Sequence, residues 1–243
     1  MGLFGRKKGH DAAPGPVPDG RPPLGLSPAV RERIAQEPMV GNKLAAGEVL
    51  QRVLATLKDE RGVQVENVAT ALGALSGRAC HLAARDGRAS RRPEYAGRDD
   101  LQVGTSDGRT FVMGPAISWP LLESPHSVWS LVAGYAQSQG APLPDVHELV
   151  RHSAATVGGP EFGRPRYAPR TAPTALPIDH LGAWEPMLAH IVPLAPDPQQ
   201  WPVVYGLAVQ GLFQMTGGQF DLTVLTRVVM DSALATSKIP VAS

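Results

Sequence analysis

The residue types best suited to chemistry gather in Gly158-Gly-Pro-Glu-Phe-Gly163-Arg164-Pro-Arg166-Tyr167-Ala-Pro-Arg170. Three arginines and a tyrosine follow closely spaced glycines, with no lysine nearby. A guanidinium offers a rigid fork of N–H donors that matches a carboxylate or a phosphate. Prolines 160, 165 and 169 restrict the backbone, so the arginines are held rather than left free in water. Arg164, Arg166 and Tyr167, together with His152 from the helix expected just before them, form the candidate set for an anionic ligand. The competing expectation is a plain surface loop, because codon bias alone can supply both arginine and proline.

Other motif matches fail on their context. Gly104-Thr-Ser-Asp-Gly108 fits the G-x-S-x-G pattern, which works only where a strand turns sharply into a helix. Here it lies between two expected strands, so Ser106 reads as a turn residue. Gly158 to Pro165 has the glycine spacing of a P-loop, but Arg164 and Pro165 stand where lysine and Ser/Thr are needed. His147-Glu-Leu-Val-Arg-His152 approaches the H-E-x-x-H zinc motif, yet its histidines are five residues apart. On a helix they point about 140° away from each other and do not share a metal. His152 is then expected as a satisfied histidine at the edge of the core. Asp179 and His180 are neighbours, which on a helix do not face each other; Asp179 is expected as a helix N-cap. Cys80 is the single cysteine, so no intrachain disulfide and no all-cysteine metal site can form, and it reads as a buried small hydrophobe. The four tryptophans read as core or partly buried groups. No metal and no cofactor is expected.

These residues must be positioned by a body rich in Ala, Val and Leu. Of 243 residues 43% are hydrophobic but only 5% aromatic. Charges nearly balance, 23 basic against 22 acidic, which disfavours a nucleic-acid binder, although residues 1–100 alone carry 16 basic and 12 acidic groups. The basic N-terminus, Met1 to Lys8, is not followed by an apolar segment, and position 6 is Arg6 rather than Ser or Thr. Export and N-myristoylation are therefore not expected. No apolar run approaches the roughly 20 residues of a membrane span. The expectation is a soluble, cytoplasmic protein without a membrane partner. Eighteen arginines against five lysines, with abundant Ala, Gly and Pro, suggest a GC-rich bacterial genome.

The elements follow from periodicity. Residues 1–26 read as a disordered, basic, Pro/Gly-rich tail with little to bury. Residues 27–243 read as a single, mainly α domain with one inserted β-hairpin at about 101–113. Ser27-Pro28 opens a first helix that Pro38 ends. Ala46, Val49, Leu50, Val53, Leu54 and Leu57 mark one face of the next, with Glu48, Arg52 and Lys58 outside it. A third begins near Val65 and carries Ala69, Gly73 and Gly77 at steps of four, which invites close packing of another backbone. These two are expected to form an αα-hairpin. Leu101–Val103 and Arg109–Met113 flank Asp107-Gly108, a hairpin signature. Later helices are expected behind Ser124 or Ser127, behind Asp145, over His180–Ile191 bent or divided at Pro186, behind the Asp197-Pro198 cap to about Met215 with a start as late as Trp201 if Pro202 splits off the first turn, and behind Asp221. The helix from Trp201 is apolar nearly all round and belongs in the middle of the core.

On these grounds the first functional expectation is a non-catalytic helical protein acting through a protein partner or self-association. It rests on the failed catalytic motifs, the small-residue helix and the basic tail. The alternative is a binder of an anionic small molecule, or an enzyme, that uses the Arg-rich loop 158–170. A pocket with several arginines favours the alternative; a flat apolar patch favours the first.

Overall fold

Among the described residues Leu26 is the first to pack on the core, and Ser27 caps α1 (Pro28–Gln36), its hydroxyl accepting the Val30 N–H at 3.4 Å. The computed structural model describes residues 25–85, 100–166 and 174–241. The expected tail, 1–26, therefore lies outside the described residues except at its end, where Leu26 belongs to the body. Pro38 ends α1 and is also the first residue of α2 (Pro38–Leu57), where a missing N–H costs nothing. After α3 (Val65–Arg85) come β1 (Leu101–Gly104) and β2 (Thr110–Met113), then α4 (Pro115–Ser118) and a π-helical turn, Trp119–Glu123. There follow α5 (Val128–Ser138), α6 (Val146–Ala155), a 3-10 turn Pro177–Ala183, α7 (Trp184–Ile191), a 3-10 turn Pro198–Gln200, α8 (Trp201–Met215) and α9 (Leu222–Thr236). The fold is mainly α with a small antiparallel hairpin, Leu101 opposite Met113 and Gly104 opposite Thr110. No helix among the described residues is long and apolar enough to cross a membrane.

The caps follow local sequence closely. Ser127, Asp145 and Asp221 each accept backbone N–H groups at the starts of α5, α6 and α9. Asp197 caps the 3-10 turn, and α8 starts at Trp201. Asp179 behaves differently from expectation. The cap position is Leu176, and the Asp179 carboxylate, three residues on, reaches back to accept the Leu176 N–H at 2.8 Å. Nor does Pro186 bend a helix. It sits in the first turn of α7, where backbone N–H groups have no intrahelical partner anyway.

Helices α3 and α8 form the centre. Almost every residue of α3 from Val68 to Ala84 is buried. The chain reverses between α2 and α3 through a turn at Asp59–Gly62, as an αα-hairpin requires. Yet the chief neighbours of α3 are α9 and α8, and α2 lies mainly on α8. The reason is the glycine stripe. A Cβ at Gly73 would stand 2.5 Å from the Val229 carbonyl oxygen, and one at Gly77 would stand 2.8 Å from the Ser237 nitrogen, so α9 occupies the groove those glycines leave. The Thr236 hydroxyl donates to the Ala74 carbonyl at 2.8 Å across this contact. Helix α8 uses the same device twice. Gly206 lies under Leu131 of α5 and Gly211 under Leu50 of α2, and Gln210 donates to the Leu131 carbonyl at 2.8 Å.

One residue placed outside the core by periodicity is inside it. Arg52 is buried, with its guanidinium on Glu48 at 2.6 Å. The acid one turn earlier supplies the charge partner, and the long stem covers apolar surface. Trp184 and Trp201 are buried, meeting edge to face at 5.6 Å with Tyr205 stacked on Trp184, while Trp119 and Trp129 are half-buried.

The α3–α9 contact gives a direct test. Gly77→Leu should destabilise by at least about 1–3 kcal/mol, because a side chain there meets the α9 backbone at Ala233 and Ser237 as well as the buried Thr236 hydroxyl. Gly77→Ala should also lower the urea midpoint, although alanine gains about 1 kcal/mol of helix propensity. A rise in stability for Gly77→Ala would mean that the contact is looser than described.

Candidate functional site

A cavity of about 430 Å³ lies where the hairpin, the loop after α6, the 3-10 turn before α7 and the end of α9 meet. The hairpin supplies Arg109, just before β2, and Phe111 within it, the guanidinium lying over the Phe111 ring. The loop supplies Pro160, Phe162 and Arg164, and the turn supplies Leu176, Pro177 and Ile178. Ala235, Thr236 and Ile239 come from the end of α9 and the residues after it. The wall is mostly apolar. Phe111 is buried and meets Phe162 edge to face, ring centres 4.8 Å apart.

The hairpin turn places one arginine. Gly108 has φ +82°, as the turn demands, and the Asp107 carboxylate accepts the Thr105 hydroxyl, the Arg109 N–H at 3.3 Å and the Arg109 Nε–H at 2.7 Å. Arg109 also donates to the Gly158 carbonyl at 2.9 Å and lies 5.7 Å above the Phe111 ring. Hairpin and loop are thus joined through this guanidinium. Gly158 approaches Thr105 so closely that a Cβ there would collide with its methyl group. The Thr105 hydroxyl, followed by the Arg109 contacts, holds the Asp107 carboxyl below the usual carboxylate range. Arg164 is exposed, and its Nε donates to the Pro160 carbonyl at 3.0 Å. No acidic side chain among the described residues lies within ion-pair distance of Arg164.

The three candidate residues that are described, Arg164, Arg166 and His152, are not gathered around one cavity. Arg164 lines it. Arg166 turns away and donates through its backbone N–H, Nε and Nη2 to the buried Asp231 carboxylate at 3.1–3.3 Å. It also forks onto Glu148 of α6, which accepts Arg227 of α9 as well, at 3.1 Å. The hydrogen bond from Arg166, with that from Arg227, holds the Glu148 carboxyl below the usual range. Arg166 therefore clamps the loop to α6 and α9. His152 is half-buried on α6 and does not line the cavity, and Tyr167 lies outside the described residues. Arg109 was missed by sequence reasoning. The signal was present in the hairpin, since Arg109 and Phe111 fall on one face of the strand expected at Arg109–Met113, but only the fold brings them to the loop.

The remaining chemical groups do not line the cavity. Ser106 is exposed in the hairpin turn. His147 is exposed while His152 is half-buried, and no cluster of three or more metal-ligating side chains occurs among the described residues. Cys80 is buried and its thiol is pushed up by burial. His81 Nδ1 donates to the Ser237 carbonyl at 2.9 Å, and burial holds the ring below its ordinary value. Lys238 donates to Ser153 Oγ at 2.8 Å and to the Leu234 carbonyl at 2.6 Å. A serine beside a lysine is a known nucleophile pair, but both side chains are buried and neither lines the cavity. The lysine instead ties α6 to the end of α9. Comparison with protein-family models, with curated proteins and with solved structures finds no match for this chain.

Two outcomes follow from these placements. Arg166→Ala leaves Asp231 buried without its cation and should destabilise by about 1–3 kcal/mol, read as a drop in the denaturant midpoint. Burial also lowers the Lys238 amine from 10.5 to about 8. Between those values the unfolded chain carries a proton that the folded chain lacks, so stability should rise with pH across the window and level off above it. Lys238→Met should abolish that rise, as urea midpoints across the window would show. A wild-type profile flat over the same range would mean that the amine is solvated.

Proposed function

We propose that this chain is a non-catalytic binding protein and that its site is the cavity between the hairpin and the loop 158–164, which takes an anionic small molecule. The observation that supports this most directly is Arg164. Its guanidinium is braced by the Pro160 carbonyl beside an apolar cavity and meets no acidic partner among the described residues. A concave, mainly apolar site with a few placed polar groups is the usual form of a small-molecule pocket. Arg109 adds a second guanidinium to the same wall. Support for a catalytic role is weaker, because the buried titratable groups named above hold helices together and do not face the cavity.

A protein partner or self-association is the second reading. The glycine stripe that suggested it is filled by α9. What favours it is a groove of about 450 Å³ between α2 and α8, lined by Leu54, Val63, Val65, Leu212, Met215 and Phe220, with Met215 exposed. Under that reading, solution mass by light scattering exceeds one chain, and Met215→Glu returns it to one.

The cavity reading is tested by thermal shift and calorimetry against a panel of carboxylates and phosphates. At least one anion should raise the melting temperature, and Arg164→Ala should remove that rise while melting like the wild type without ligand. A panel with no response, or an unchanged response in Arg164→Ala, would overturn it.

A further inference from the structure

We infer that the ligand of the hairpin–loop cavity is an amphipathic monocarboxylate, one apolar body carrying a single carboxylate, rather than a phosphate ester or a neutral lipid. This rests on the reading that the cavity is a binding site and specifies what it selects.

Charge decides first. Among the described residues, two guanidiniums line the cavity and no carboxylate does. Arg109, however, is already paired with Asp107 at 2.7 Å and hydrogen-bonded to the Gly158 carbonyl at 2.9 Å. Among the described lining residues only Arg164 is left to meet an incoming anion. One cation matches one negative charge. A phosphate monoester brings about 1.5 to 2 negative charges at neutral pH, and the excess has no partner among the described lining residues.

Geometry admits the carboxylate. The Arg164 Nε is taken by the Pro160 carbonyl, which leaves the two terminal nitrogens as the free edge of the fork. Two parallel N–H donors in one plane are complementary to the two oxygens of a planar carboxylate. Arg164 is exposed whereas Phe111 and Ala235 are buried, so the acid group sits at the mouth and the body points inward.

The walls set the body. Phe111, Phe162, Leu176, Ile178 and Ile239 offer apolar contact and no hydrogen bond from a side chain. Thr236 is the one buried hydroxyl among the described lining residues, and it is already committed to the Ala74 and Ser232 carbonyls. A polar group in the middle of the ligand would therefore lose its water without replacement, which is unfavourable. An alkyl or aryl body meets no such penalty, and its burial is favourable in proportion to its area.

The test is calorimetric titration of the full chain with octanoate, octanol and octyl phosphate. Octanoate should bind tighter than octanol by about tenfold or more, the contribution of a charged hydrogen bond, and no more weakly than octyl phosphate. Arg164→Gln should bring octanoate down to the level of octanol while leaving the melting temperature of the free protein unchanged. Phe162→Ala should weaken octanoate and octanol alike, because it removes wall rather than charge. Octanol binding as tightly as octanoate, or octyl phosphate binding tighter, would overturn the carboxylate assignment while leaving the cavity as a binding site. Failure of all three to bind would overturn the cavity reading itself.

Discussion

Close approach of α3 and α9 through Gly73 and Gly77 is the constraint on which the rest of the molecule depends. With no side chain at those positions, the α9 backbone lies against α3, and the end of α9 is set in place. The groups that follow are then within reach of α3. His81 donates to the Ser237 carbonyl and Arg78 to the Ile239 carbonyl, so carbonyls at and beyond the end of α9 are met by donors on α3. The Lys238 carbonyl in turn accepts the Val112 N–H of β2 at 2.8 Å, and the hairpin is hung from this anchored end. Ala235, Thr236 and Ile239 thereby become part of the cavity that β2 closes from the other side.

Arginine does several jobs in this chain, and partner acids decide which. Arg52 is buried because Glu48 lies one turn away on the same helix. Arg166 is held by Asp231 and Glu148, which arrive from α9 and α6. Arg109 is held by Asp107 two residues earlier in the turn. Arg164 differs from these in that, among the described residues, its partner is the Pro160 carbonyl rather than an acid. Identical chemistry in the side chain thus yields a core residue, a clamp, a brace and a candidate contact.

The loop that bears Arg164 is shaped from both ends. Arg109 grips it at Gly158, and Arg166 grips it beyond Pro165. Between these points, Phe162 packs on Phe111 of the hairpin. The loop lacks regular secondary structure but is tied at both ends to rigid elements, which is what a site needs if its donors are to be in place before the ligand arrives.

Local features of the sequence determined the helices, their caps and the hairpin. Each depends on groups a few residues apart: Ser27, Ser127, Asp145 and Asp221 meet the next N–H groups, Asp107-Gly108 makes the turn, and the apolar spacing of α2, α3 and α8 follows one turn of helix. The glycine stripe was legible as a close contact, but which helix fills it was not, because Gly73 and Gly77 state only that something small is needed there. The Arg-rich loop was legible as chemically distinctive. That Arg164 lines the cavity while Arg166 is bound inside was decided by tertiary structure alone. The acids that claim Arg166, Glu148 and Asp231, lie 18 and 65 residues away in the chain, and no periodicity relates them. Pairing across such distances depends on how whole helices pack, and that is set by the summed fit of the core rather than by any local pattern.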